Sequence, residues 1–110
     1  NNQQATCWVS VGRDGRHAYT SNAGSGTITD YLIGSGAALS VVENVPASSV
    51  GASAPLDSAV DPSGRFFYVL DGSSGAVSAF QIGGEGRLTL LQVFRDTKLP
   101  AVGAQGLAVS

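Results

Sequence analysis

A repeat of 49 residues constrains this chain more than any other feature. Residues 7–43 align without a gap onto residues 56–92. Nine positions are identical: Val11/Val60, Gly15/Gly64, Arg16/Arg65, Tyr19/Tyr68, Ser25/Ser74, Gly26/Gly75, Ile33/Ile82, Gly34/Gly83 and Leu39/Leu88. Conservative pairs fall between them, among them Ile28/Val77, Tyr31/Phe80, Val41/Leu90 and Val42/Leu91. The identities are mostly turn glycines and apolar residues, the pattern left by one supersecondary unit used twice. One more step of 49 sets Val109 on Val60 and Val11, and Ala108 on Ala59 and Ser10, so the chain ends on entering a third copy.

Each copy reads as four short strands. The first spans roughly Trp8–Val11 or Ser58–Val60, and ends in a turn closed by Gly15 or Gly64. Glycine suits the last position of such a turn because it tolerates positive φ. The second strand is His17–Ser21 or Phe66–Leu70, followed by Asn22–Gly26 or Asp71–Gly75 as a turn. The third is Thr27–Ile33 or Ala76–Ile82, and the fourth is Leu39–Val42 or Leu88–Val93. No segment carries a helical period. Loops are expected over Glu43–Pro55 and Arg95–Gln105. Four antiparallel strands joined by tight turns, repeated, predict β-propeller blades, each burying both faces against neighbours. The fold class expected is therefore all-β: a propeller fragment of two four-stranded blades plus the inner strand of a third. Residues 1–55 form the first blade with its connection, 56–104 the second, and 105–110 the inner strand of a closing blade.

Composition agrees and narrows the function. Hydrophobic residues make up 43% of the chain and charged residues only 13%, too apolar for disorder and low in charge for a free surface. Part of that surface is expected to be covered. The net charge is −2 with no basic cluster, which argues against a nucleic-acid partner. No apolar run is long enough for a membrane span. The chain contains no Met, so residue 1 is not expected to be a translation start. Cys7 is the single cysteine; it cannot make an internal disulfide and offers no metal site, and it reads as a small buried hydrophobe. No metal and no cofactor are expected.

Several segments carry a family resemblance. Thr6–Val11, Asp14–Asn22, Gly24–Ile28, Ser53–Asp57, Ser63–Leu70 and Leu99–Ala108 resemble the lactonase-family seven-bladed β-propellers, over nearly the whole chain. That family includes 6-phosphogluconolactonases and fungal carboxymuconate cyclases. The shared motifs are turns and packing residues, so the resemblance specifies the fold more sharply than an activity. It implies that most of the ring lies outside this chain, and that two-blade copies cannot tile a seven-bladed ring. It also implies that residues 105–110 supply the inner strand of a blade completed from elsewhere.

Propeller ligands usually sit at the mouth of the central channel, which the loops entering inner strands and the second turns face. The candidate ligand-binding residues are Trp8, Asp57, Asn22 and Asp71, with Ser53–Pro55 as the approach. Asp57 is a candidate general base, but it also suits bonding backbone amides at a loop-to-strand junction. Asn22 and Asp71 are equivalent in the repeat, and Asx side chains cap glycine-rich turns by bonding backbone two residues on. Trp8 can stack on a ligand or fill the channel wall. His17 corresponds to Phe66, which favours packing over catalysis. Arg16 and Arg65 are expected to cover their turns or to pair with Asp14 and Asp61. No Ser-His-Asp constellation or nucleophile elbow occurs, and no catalytic residue can be assigned.

The expected function is that of a fragment of a lactonase-like propeller. Its parent would hydrolyse or form a sugar-acid or muconate-type lactone, and the fragment alone would be inactive. The alternative is a non-catalytic secreted or cell-surface binding propeller, since Tyr19-Thr20-Ser21-Asn22 resembles the repeats of surface propellers. A secreted, periplasmic or cell-surface location is favoured over the cytoplasm. Expected partners are the remaining blades of the parent or copies of this chain, and a small carboxylated or sugar lactone.

Overall fold

The structure, a computed structural model, describes residues 2–47, 54–95, 98, 99 and 106–110. Two antiparallel sheets of four strands form, each in simple sequence order. The first contains β1 (Thr6–Val11), β2 (His17–Asn22), β3 (Thr27–Ile33) and β4 (Leu39–Pro46). The second contains β5 (Pro55–Val60), β6 (Phe66–Asp71), β7 (Val77–Ile82) and β8 (Leu88–Phe94). These are the expected blades. The fourth strand runs longer than the sequence reading allowed, because Val45 still packs on the core and holds the chain extended to Pro46.

The repeat extends to backbone irregularities. Both blades carry a bulge at the start of the first strand, at Cys7 and at Leu56. Both carry another in the fourth strand, at Val42 and at Leu91. The first turns match too. Gly15 and Gly64 take φ +66° and +74°, a region where a side chain is strained. In each turn an aspartate bonds backbone amides: Asp14 accepts from Arg16 and His17, and Asp61 accepts from Ser63, Arg65 and Phe66. Of the two expectations for Arg16 and Arg65, covering the turn or pairing with these aspartates, the pairing does not form. The amides reach the carboxylates first, and Arg65 lies over the ring of Phe66 instead.

The core lies between the blades. Tyr19 and Ile28 from one sheet meet Phe67, Val69, Phe80 and Leu88 from the other, all buried, with Val45, Val60, Ile82 and Leu90 at the margin. The Tyr19 and Phe67 ring centroids are 5.0 Å apart. The sheets meet most closely at β1 and β5 and diverge toward β4 and β8, the wedge expected of propeller blades.

Polar contacts fix the register of this seam. Ser10 Oγ lies 2.9 Å from both the carbonyl and the hydroxyl of Ser58. The Tyr19 hydroxyl donates to the Gly86 carbonyl at 2.8 Å. Glu43 accepts from the Leu88 amide at 3.0 Å and pairs with Arg87 at 3.6 Å. Arg13 donates across the seam to the Pro62 carbonyl.

The faces turned away from the seam are open. Strand alternation puts Val9, Val11, Leu39 and Val41 on the outer face of blade 1, all exposed, and Phe94 on that of blade 2. Residues 106–110 form no strand with either blade. The amide of Leu107 nevertheless donates to Asp57 at 2.7 Å, beside the inner strand β5. Gln105 and Ser53 lie outside the described residues.

Candidate functional site

Antiparallel order sends the turns to two ends of the molecule. The first and third turns of each blade, with Arg13, Arg16, Arg65 and Arg87, lie at one end. The second turns and the entries to β1 and β5 lie at the other, the end expected from the sequence to face a channel mouth. There the inner strands border a recess of about 560 Å³ lined by Cys7, Trp8, Leu56, Asp57 and Gly106.

Trp8 and Asp57 hold the same position in successive repeats, and the fold brings them to one recess. Trp8 is 48% exposed. It does not fill the wall as a buried ring, because the bulge at Cys7 and the open inner edge of β1 leave it uncovered. Cys7 is also exposed, contrary to its reading as a buried hydrophobe, and its thiol donates to the Ala5 carbonyl at 3.1 Å.

Asp57 is 3% exposed. One carboxylate oxygen accepts the Ser58 amide and the other the Leu107 amide, both at 2.7 Å. It thus bonds backbone at the loop-to-strand junction and anchors the chain segment that follows blade 2. Each oxygen accepts one backbone amide, the backbone-bonding role that suits a loop-to-strand junction.

Asn22 and Asp71 stand away from the recess and differ from each other. Asp71 accepts the Ser73 amide and hydroxyl at 2.8 and 2.7 Å, and the Ala54 amide at 3.1 Å. Burial pushes its carboxyl pKa up, but these bonds outweigh burial and hold it below the ordinary value. Asn22 does not cap its turn through the side chain. It accepts from Thr6 at 2.8 Å and donates to Thr29 at 2.8 Å and Thr27 at 3.2 Å. Thr29 then donates to Asn44 at 2.6 Å. The hydroxyls of Thr6, Thr27 and Thr29 take up the Asn22 side chain in place of the turn backbone.

The sequence reading passed over a buried pair at the far end of the seam. His17 Nδ1 lies 3.0 Å from Asp30 Oδ1, and Asp30 is 0% exposed. Its second oxygen has no hydrogen-bond partner. Burial raises the Asp30 pKa, the His17 bond and charge pull it down, and Glu43 and Asp14 push it up again, with a net rise. The Tyr19 phenol is raised as well, by burial and then by Asp30. A signal for this pair existed in the repeat: the equivalent positions hold Phe66 and Ala79, so both partners change from polar to apolar together.

Among the described residues no group of His, Cys, Asp and Glu could hold a metal ion. None of their helices is long and apolar enough to cross a membrane. Among the described residues no arginine or lysine lines the recess beside Trp8.

Comparison with known proteins gives this geometry its context. No curated protein matches the sequence. Among solved structures, a protein from Lactobacillus plantarum superposes with a TM-score of 0.73 at 22% identity, covering 81% of this chain and 26% of that one. A candidate 6-phosphogluconolactonase from Bacteroides uniformis gives 0.73 at 23% identity, covering 84% and 27%. The periplasmic gluconolactonase of Pseudomonas aeruginosa gives 0.72 at 20% identity, covering 82% and 25%. The chain therefore spans about a quarter of the length of these structures, and they share its fold. The family profile "Lactonase, 7-bladed beta-propeller" matches residues 1–102. With its two repeated blades and inner-strand seam, the chain belongs to the lactonase family of seven-bladed β-propellers.

Proposed function

We propose that this chain supplies part of the channel wall of a lactonase whose complete ring hydrolyses or forms a sugar-acid or muconate-type lactone. The observation that carries the reading is the shared recess: Trp8 and Asp57, 49 residues apart, line it together. An exposed indole on an apolar wall suits the flat face of a sugar lactone. Asp57 serves by holding the next inner segment in place through the Leu107 amide. The cation that a carboxylated or phosphorylated lactone requires comes from other blades, and so does the proton-transferring group. The two blades alone then catalyse no turnover. The similarity to a periplasmic gluconolactonase supports a parent that works outside the cytoplasm.

The test is a lactone panel assayed with the complete parent protein and its Trp8→Ala variant. The reading expects hydrolysis of at least one lactone, with KM raised in the variant. No hydrolysis across the panel, or an unchanged KM, overturns it.

A further inference from the structure

The entry to β1 departs from a regular strand. Thr6 stands opposite Asn22 and Trp8 opposite Ser21, with Cys7 bulged out between them. A regular strand in register at Thr6 would set Cys7 opposite Ser21 and Trp8 opposite Thr20. Side chains alternate between the faces of a sheet, so a one-residue change moves each of them across. Trp8 would leave the face it shares with Ser10 and Tyr19, which meets blade 2, for the opposite one. The bulge therefore decides what blade 1 presents to the recess, and it requires that Thr6 stay opposite Asn22.

A side-chain bond provides that hold. The Thr6 hydroxyl donates to Asn22 Oδ1 at 2.8 Å. Asn22 is buried, and its own amide group donates to Thr29 and Thr27, which fixes the direction of the accepting oxygen. The turn backbone completes the clamp. The Ala23 and Gly24 amides donate to the Ala5 and Gln4 carbonyls. Ala5 is thereby kept at φ +51°, a conformation that a side chain adopts only under constraint. Blade 2 builds the same entry from different atoms. Its bulge falls at Leu56, with Pro55 opposite Asp71 and Asp57 opposite Leu70. Pro55 has neither a hydroxyl nor an amide hydrogen to offer. The hold moves back one residue, where the Ala54 amide donates to Asp71 Oδ1 at 3.1 Å. Leu56 also rests on the second turn so closely that a Cβ on Gly72 would fall 2.2 Å from Leu56 Cδ1. In both copies, then, the Asx residue that opens the second turn fastens the chain just before the bulge.

We infer that Asn22 is a positioning residue for the recess: through the Thr6 hydroxyl it holds the Cys7 bulge, and the bulge sets Trp8 in the recess beside Asp57. Asn22 does not line the recess itself. Its meaning for a substrate rests on the reading of that recess as a lactone subsite, whereas its hold on Trp8 can be measured without any substrate.

Trp8 and Cys7 are the only tryptophan and cysteine of the chain, so the bulge carries two reporters of its own. Thr6→Val removes the hydroxyl and keeps the branched shape. Losing one hydrogen bond lowers the ratio of held to released strand about fivefold. The Cys7 thiol is bonded to the Ala5 carbonyl while the strand is held. Its labelling by a thiol reagent is expected to quicken by a similar factor, and the emission of Trp8 and its quenching by acrylamide are expected to change with it. Thr6→Ser restores the donor and is expected to match the unaltered chain. Asn44→Ala cuts the far end of the same network, at Thr29, and is expected to move neither reporter. Far-UV circular dichroism checks that each variant is folded. Thr6 is exposed; should Thr6→Val nevertheless fail to fold, Thr6→Ala carries the same expectation. Reporters that do not move in the folded Thr6 variant overturn the inference. So do reporters that move as far in Thr6→Ser or in Asn44→Ala, since then the hydroxyl is not the hold or the effect is only lost stability. In the complete parent, Thr6→Val is further expected to raise KM and keep kcat for any lactone whose KM is raised by Trp8→Ala, and an unchanged KM there also overturns the inference. If Trp8→Ala raises no KM, the lactone reading fails, and the two reporters still decide the positioning.

Discussion

Blade 1 and blade 2 share strand order, turn glycines and the positions of both bulges, yet they fill equivalent interior positions with opposite chemistry. Blade 1 buries His17 against Asp30 at the seam. Blade 2 carries Phe66 and Ala79 at those places, on its outer face. The contrast separates two kinds of information. Positions identical in both copies specify a blade. Positions that differ specify which neighbour each face of that blade will accept.

The largest test of this contrast is in the shared core. Phe67 is fully buried and touches both Tyr19 and Phe80. Phe67→Ala is expected to cost about 3–5 kcal/mol in urea unfolding, as buried aromatic truncations do. A loss under about 1 kcal/mol would mean that the seam is not the main core.

The buried pair comes next. His17→Phe strands the Asp30 carboxylate in the interior and is expected to cost about 3–5 kcal/mol, typical of one partner removed from a buried pair. His17→Phe with Asp30→Ala transplants the apolar residues of blade 2 into blade 1. That double change is expected to recover most of the loss, since well-packed apolar replacements of buried pairs are near neutral. A double-mutant cycle measures the coupling, and additive losses would show that the pair does not act as a unit.

Gly86→Ala sharpens the same comparison from the other side of the seam. Overpacking against His17 is expected to cost about 1–3 kcal/mol. Gly15→Ala, at φ +66° with open space around its Cβ position, carries the backbone strain without the clash and is expected to cost less. Equal losses would show that turn conformation matters and the fit to His17 does not.

Two aspartates should give opposite pH trends. The Asp30 pKa is raised in the fold, so its contribution is present below 3.8, its ordinary value, and is lost as pH rises through the folded value. The Asp71 pKa is lowered, so its contribution is present above 3.8 and is lost as pH falls through the folded value. Urea midpoints against pH should therefore lose their acid-side fall in Asp71→Asn and keep it in the His17→Phe, Asp30→Ala double variant. The reverse pattern would reassign the two slopes. The smallest effect expected is at the surface: Arg65→Ala removes the cation over Phe66 and should cost about 0.5–1 kcal/mol.

Much of the fold could be read from local signals. Turn glycines such as Gly15 and Gly64 mark a backbone geometry set by few residues, so their spacing alone located the strands. Strand ends were less legible. Whether β4 stops at Val42 or runs to Pro46 depends on Val45 reaching a core built mainly from the other blade. The candidate site divided in the same way. Trp8 and Asp57 could be placed together from the repeat, because equivalent positions in adjacent blades face one channel. The exposure of Trp8 and Cys7, and the engagement of both Asp57 oxygens, depend on Leu107 and on a strand edge that no local pattern describes.

By itself, then, the sequence determined the blade: its four strands, its turns and its period of 49 residues. These follow from backbone sterics and alternation, which act over a few residues. Only the tertiary structure decided the seam, where Tyr19 reaches Gly86 across 67 residues and the His17 ring closes on the Gly86 backbone. Such contacts depend on the angle and register at which two finished sheets meet, and that arrangement arises only when their apolar faces leave water together.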